Sequence, residues 1–285
     1  MKVVHLWLRA VLCIKKKSVP LLVGVAGLGA CYYIGRVLTI KRIAMAQVET
    51  VAFTLETETY SFEGNPEGEV VGRKTVARRS DGASAFVDNV GPVEWGYVGR
   101  RVTYPDGRSI SVVDSLTTKT TWPIMSARSL ASFKAQFLHP PRNCVGVGET
   151  LVGFGKFSGE DVAIVRAGLP GVAGTGASEA RITSWRARDL ACQTSQYRVE
   201  QPQGDGSWKL LTEQRVVSLK LGEPDARLFD DGSGYTEARP SEVQRRLLRK
   251  VGVSPDAEPW KTEAERLDKV YSKKCDECSE QRVLP

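Results

Sequence analysis

From residue 47 onward, short stretches of alternating apolar and polar residues are separated by tight-turn signals. These are Gly64-Asn65-Pro66, Ser80-Asp81-Gly82, Pro105-Asp106-Gly107, Ser158-Gly159-Glu160 and Gly204-Asp205-Gly206. Asp-Gly between alternating segments favours a hairpin, because glycine takes a positive φ at no steric cost. The first stretch, Val51-Ala52-Phe53-Thr54-Leu55, is β-branched and aromatic, and Val51, Phe53 and Leu55 share one face of it. Further strands are predicted over 69–77, 83–89, 100–104, 109–114, 149–156, 162–167, 180–186, 191–199 and 210–221. Helical patterns are lacking between most of them, so neighbours in sequence should pair as an antiparallel meander. One internal helix is predicted over 124–138. The expected fold class is mainly β (α+β), an antiparallel sheet with a few helices.

Charge placement separates the N-terminus from this region. The chain has 40 Lys and Arg against 33 Asp and Glu. Eight of the bases (Lys2, Arg9, Lys15, Lys16, Lys17, Arg36, Lys41 and Arg42) lie within residues 1–46, which contain no acid. The remainder, 32 bases against 33 acids, balances at −1. It has no cationic surplus to attract a phosphate backbone, so nucleic acid is not an expected partner. Residues 18–35 are uncharged, and apolar character resumes over 37–40. A run of this length is at the short end of what crosses a bilayer. Lys15, Lys16 and Lys17 ahead of it place the N-terminus inside and the bulk of the chain outside. A single-pass membrane segment over 18–40 is therefore expected, with the rest exported. Three fates of the leader stay open: an uncleaved anchor, cleavage after Ala44-Met45-Ala46, or lipidation at Cys31 in Leu28-Gly29-Ala30-Cys31. The expected organisation is a leader over 1–46, a β-rich domain over 47–238 and a helical extension over 239–285.

In the extension, Pro240-Ser241 followed by Gln244 has the form of a capping box. Val243, Leu247, Leu248 and Val251 form an apolar stripe, and Gly252 supplies a stop. A second helix is predicted from Pro259, with Trp260, Ala264, Leu267 and Tyr271 on one face.

Chemistry-bearing residues are sparse. Beyond the leader His139 is the only histidine, in Leu138-His139-Pro140-Pro141, and no nucleophile elbow or paired-histidine metal motif occurs. Gly168–Gly176 lacks the Lys-Ser/Thr of a phosphate loop and reads as a strand connection. No catalytic residue, cofactor or metal ligand is assigned. Cys144, Cys192, Cys275 and Cys278 are an even set for an oxidising compartment, so they are candidate disulfide cysteines. Cys275-Asp276-Glu277-Cys278 is also a lone C-x-x-C, which leaves open a thiol-disulfide activity.

Two stretches together resemble a known family. One is Arg101-Val102-Thr103-Tyr104-Pro105-Asp106-Gly107, continuing to Val112-Val113-Asp114 and Thr120-Thr121-Trp122. The other runs from Ser184-Trp185-Arg186-Ala187-Arg188-Asp189-Leu190 through Gly206-Ser207-Trp208 to Leu221-Gly222-Glu223-Pro224 and Leu228-Phe229. The pattern is similar to bacterial lipoprotein-carrier-type (LolA-like) envelope proteins and to uncharacterised membrane-anchored proteins of like layout, over roughly residues 95–235. The resemblance implies a curved antiparallel sheet around an apolar cavity partly plugged by helices. It implies a non-catalytic function: binding a lipid, lipoprotein or protein partner on a concave sheet. A thiol-active envelope protein and a sensing or regulatory ectodomain are the alternatives.

Overall fold

The computed structural model describes residues 19–141, 143–157, 159–169 and 180–281, with the backbone alone for 19–31, 169 and 273–281. The chain divides between Ala46 and Gln47 into two compact units. Among its described residues the first contains one helix, α1 (Val19–Met45). Among the described residues no helix is long and apolar enough to cross a membrane, a finding that does not bear on strands. The crossing expected for 18–40 therefore rests on the sequence. Lys15, Lys16 and Lys17 lie outside the described residues, as does the side chain of Cys31.

The second unit is built on one curved sheet of twelve strands. They are β1 (Phe53–Ser61), β2 (Glu69–Arg78), β3 (Ser84–Asn89), β4 (Val98–Thr103), β5 (Ser109–Val113), β6 (Thr118–Trp122), β7 (Glu149–Phe157), β8 (Glu160–Leu169), β9 (Ala180–Ala187), β10 (Gln193–Pro202), β11 (Trp208–Leu221) and β12 (Thr236–Glu237). Their order is β12-β6-β5-β4-β3-β2-β1-β11-β10-β9-β8-β7. Two antiparallel meanders, β1 to β6 and β7 to β11, are thus joined along β1 and β11. Only β12 runs parallel to its neighbour, β6. Helix α2 (Ala127–Leu138) connects the meanders. The turn glycines do what the sequence requires: Gly107 and Gly206 sit at φ +88° and +83°.

The seam between the meanders is also core. Phe53 and Leu55 of β1 are fully buried with Val76, Val162, Ala187 and Leu190. Burial of each such side chain contributes about 1.5–3 kcal/mol. Helices α3 (Pro240–Lys250) and α4 (Trp260–Gln281) belong to the same unit as the sheet. Leu247, Leu248 and Ala264 are buried, as their stripes require. Trp260 packs on Trp95 with ring centroids 5.5 Å apart.

Several expectations are corrected. Residues 48–52 precede β1 outside any strand. β6, Thr-Lys-Thr-Thr-Trp, was not anticipated because it has no aliphatic residue; Thr118 and Thr120 are nevertheless buried, and the Thr120 hydroxyl donates to the Ala238 carbonyl at 2.7 Å. The internal helix starts at Ala127 instead of 124, where Ser126 caps it by accepting from the Ser129 amide. The capping box at Ser241 does not form. Arg239 is the N-cap and Pro240 takes the first helical position, so Ser241 falls inside the turn and donates to Asp268 of α4 at 2.6 Å. Gln244 is left with an unpaired buried Oε1 among the described residues. Of the Gly168–Gly176 connection, residues 170–179 lie outside the described residues.

Candidate functional site

Directly opposed residues of antiparallel strands share a face of the sheet. The register therefore lays two rows across β2 to β6. Arg78, Ser84, Thr103, Ser109 and Trp122 form one; Val76, Phe86, Arg101, Ser111 and Thr120 form the next. The alternate row, Ala77, Ala85, Val102 and Ile110, faces the other way. Its first three members are sealed under Phe229 and Leu228 of the 226–229 turn. One face is thus closed by a small apolar core. The other is broader, more polar and roofed by helices.

Helix α2 covers the Arg78 end of that face. Phe137 lies 4.2 Å from the Arg78 guanidinium, and Phe133 meets Phe137 edge-on at 4.9 Å. Between α2 and the sheet is a cavity of about 520 Å³, within the roughly 300–1,000 Å³ typical of ligand sites. Trp122, Pro123, Ile124, Met125 and Phe133 give it apolar walls, and Ser109, Ser126, Ser129, Ser132 and Gln136 add polar groups. Two cations, Arg101 and Arg128, complete the lining. A second cavity of about 330 Å³ lies toward α3, bounded by Phe86, Ser111, Val113, Thr118, Pro240 and Val243. Arg101 and Trp122 border both.

These two shared residues are held firmly. Trp122 Nε1 donates to Ser111 Oγ at 2.7 Å, and its ring packs on Tyr271 of α4 at 5.6 Å. The Tyr271 hydroxyl donates to the Thr121 carbonyl at 3.0 Å, which ties α4 to β6. Arg101 stacks on Trp122 at 4.7 Å and its Nε donates to Ser109 Oγ at 3.1 Å. Burial lowers the Arg101 pKa from its ordinary value. Deeper under α2, Arg78 is more than nine-tenths buried. It sits between the rings of Phe53 and Phe137, donates to the Leu190 carbonyl at 3.4 Å, and has an unpaired Nε among the described residues. Burial brings its pKa down to about 10, so it stays charged at neutral pH.

The sequence-predicted residues fall elsewhere. Cys144 and Cys192 are joined by a disulfide and lie in loops, before β7 and before β10. The Cys144 carbonyl accepts from Arg186, whose guanidinium also holds Glu149. Cys275 and Cys278 fall within α4, and their side chains lie outside the described part. His139 is exposed and ends α2, its amide donating to the Ala135 carbonyl. Among the described residues no three His, Cys, Asp or Glu side chains are grouped to hold a metal. Arg101 and Trp122 were noted only as strand markers, and Arg128 and Phe133 not at all. The one usable signal was Arg100-Arg101 inside a strand, which must send one guanidinium to each face.

No family model matches the chain, and no curated protein matches it. Solved structures do. The Mycobacterium tuberculosis lipoprotein LppX is 16% identical, with 62% of this chain and 88% of that one covered, at TM-score 0.25. LprF from Mycobacterium bovis is 12% identical, with 65% and 94% covered, at TM-score 0.27. A LolA superfamily protein from Nitrosomonas europaea is 9% identical, with 67% and 94% covered, at TM-score 0.24. All three likenesses are at low identity and low score.

Proposed function

We propose that this chain is a non-catalytic envelope protein that binds a lipid, or the lipid part of a lipoprotein, between the sheet and α2. The observation that carries this is the cavity of about 520 Å³ walled by Trp122, Ile124, Met125 and Phe133, with serine, glutamine and arginine side chains in the same lining. Apolar walls with a few placed polar groups suit an amphiphile. The Cys144–Cys192 disulfide supports an exported, oxidising location for residues 47–285. The uncharged run at 18–35, behind Lys15, Lys16 and Lys17, supports a membrane anchor over 18–40. Native mass spectrometry of the full chain in a mild detergent tests the binding. Retention of lipid by the wild type, and its loss in Phe133→Glu with an unchanged circular dichroism spectrum, is the expected result. A wild type that neither retains lipid nor takes up a fluorescent fatty-acid analogue refutes the reading.

A further inference from the structure

The charge lining the α2 cavity is one-sided, whereas the adjoining cavity that shares Arg101 also holds Asp88. The α2 cavity's lining contains Arg101 and Arg128 and, among the described residues, no Asp or Glu. Six other arginines of the sheet are neutralised: Arg73 by Glu58, Arg100 by Asp114, Arg181 by Glu200, Arg186 by Glu149, and Arg198 and Arg215 by Glu213. Among the described residues no carboxylate pairs with Arg101 or Arg128. Arg100 and Arg101 are adjacent in one strand, yet only the one facing away from the cavity meets an acid.

A further feature adds positive potential at the same place. Ser126, Arg128 and Ser129 form the start of α2 and line the cavity, so the positive end of the helix dipole opens onto it. Arg128 in the first turn is at the wrong end of its own helix, an arrangement a bound anion would relieve. The Arg101 fork, fixed at Nε by Ser109 and 4.7 Å from the Trp122 ring, leaves its two terminal nitrogens for a bidentate acceptor.

We propose that the ligand is a lipid with an acidic headgroup, whose phosphate or carboxylate oxygens are held by Arg101 and Arg128 while its apolar part lies along Trp122, Met125 and Phe133. This rests on the lipid-binding reading above and specifies its ligand class.

The test compares phosphatidylglycerol with phosphatidylcholine of identical acyl chains, titrated into the full chain in a neutral detergent and followed by native mass spectrometry. Phosphatidylglycerol should bind at least about tenfold more tightly, about 1.4 kcal/mol. Arg101→Gln with Arg128→Gln should bring the affinity ratio to about one, and Arg101→Lys with Arg128→Lys should keep a preference for the anion. Near-ultraviolet circular dichroism confirms that each variant is folded. Inorganic phosphate at millimolar concentration is the third probe and should not displace phosphatidylglycerol. Equal binding of the two lipids overturns the acidic-headgroup proposal and leaves lipid binding standing. Displacement by phosphate assigns the site to the free anion and overturns it too. Binding of neither lipid removes both readings.

Discussion

The Cys144–Cys192 disulfide closes a loop with a sequence separation of 48. In the loop-entropy account a cross-link restricts the unfolded chain, by about 2.1 cal/mol/K plus 1.5R times the logarithm of loop length. For this separation the stabilisation is about 4 kcal/mol at 25 °C. That is a large share of the roughly 5–15 kcal/mol that holds a typical domain folded. Alanine is the better probe than serine, because Cys144 is 2% exposed and packs with Ala163 and Val165. A buried hydroxyl there would add a desolvation cost of its own. Both cysteines have positive φ, 54° and 60°, and that strain remains in the variant, so the difference reports the cross-link. Urea unfolding of oxidised wild type and of Cys144→Ala/Cys192→Ala, followed by circular dichroism, should show a loss of about 4 kcal/mol. The m-value should rise, because the unlinked chain exposes more surface. Wild type treated with a reductant should follow the variant. A loss below about 1 kcal/mol, with an unchanged m-value, would refute the unfolded-state argument.

Three other outcomes follow from single residues. Phe53→Ala at the fully buried seam of the two meanders should cost about 3–5 kcal/mol in the same unfolding assay. Burial alone would raise the Glu213 pKa, but hydrogen bonds from Arg198 and Arg215 outweigh it and hold the carboxyl below its usual range. Glu213→Gln should therefore cost about 2 kcal/mol at pH 7, discounted because both arginines are nearly half exposed. Glu149 is likewise held low, chiefly by its hydrogen bond from Arg186. A depressed folded-state pKa contributes stability above the unfolded carboxylate value, near 4.3, and that stability is lost as pH falls through the folded value. The wild-type urea midpoint should fall steadily below about pH 4.5, and Glu149→Gln should be less stable at pH 7 and flatter across that acid range.

Much of the fold was legible because its signals are local. Asp106-Gly107 and Asp205-Gly206 mark turns whose glycines take positive φ, and most predicted strands lie within a few residues of the observed ones. The stripes Leu247-Leu248 and Trp260-Ala264 identify the buried faces of α3 and α4. β6 escaped because its buried residues are threonines: Thr120 is satisfied by a distant carbonyl, Ala238, which no pattern within the strand reveals, and Thr118 Oγ1 is unpaired among the described residues. Ser241 misled for the same kind of reason: its partner, Asp268, is on another helix.

The sequence by itself determined the antiparallel meander, the two C-terminal helices and the charge asymmetry of the leader, since each depends on residues close together in the chain. Which meander edges meet was decided only by tertiary structure. Phe53 of β1 lies opposite Leu221 of β11, far along the chain. The candidate site depends on the same long-range choice. Alternation puts Arg101 and Val102 on opposite faces, but only packing decides which face receives Phe229 and which receives α2. Arg100 and Arg101 are identical in type and adjacent in sequence. One became an ion pair and the other an open guanidinium because the elements packed over them differ.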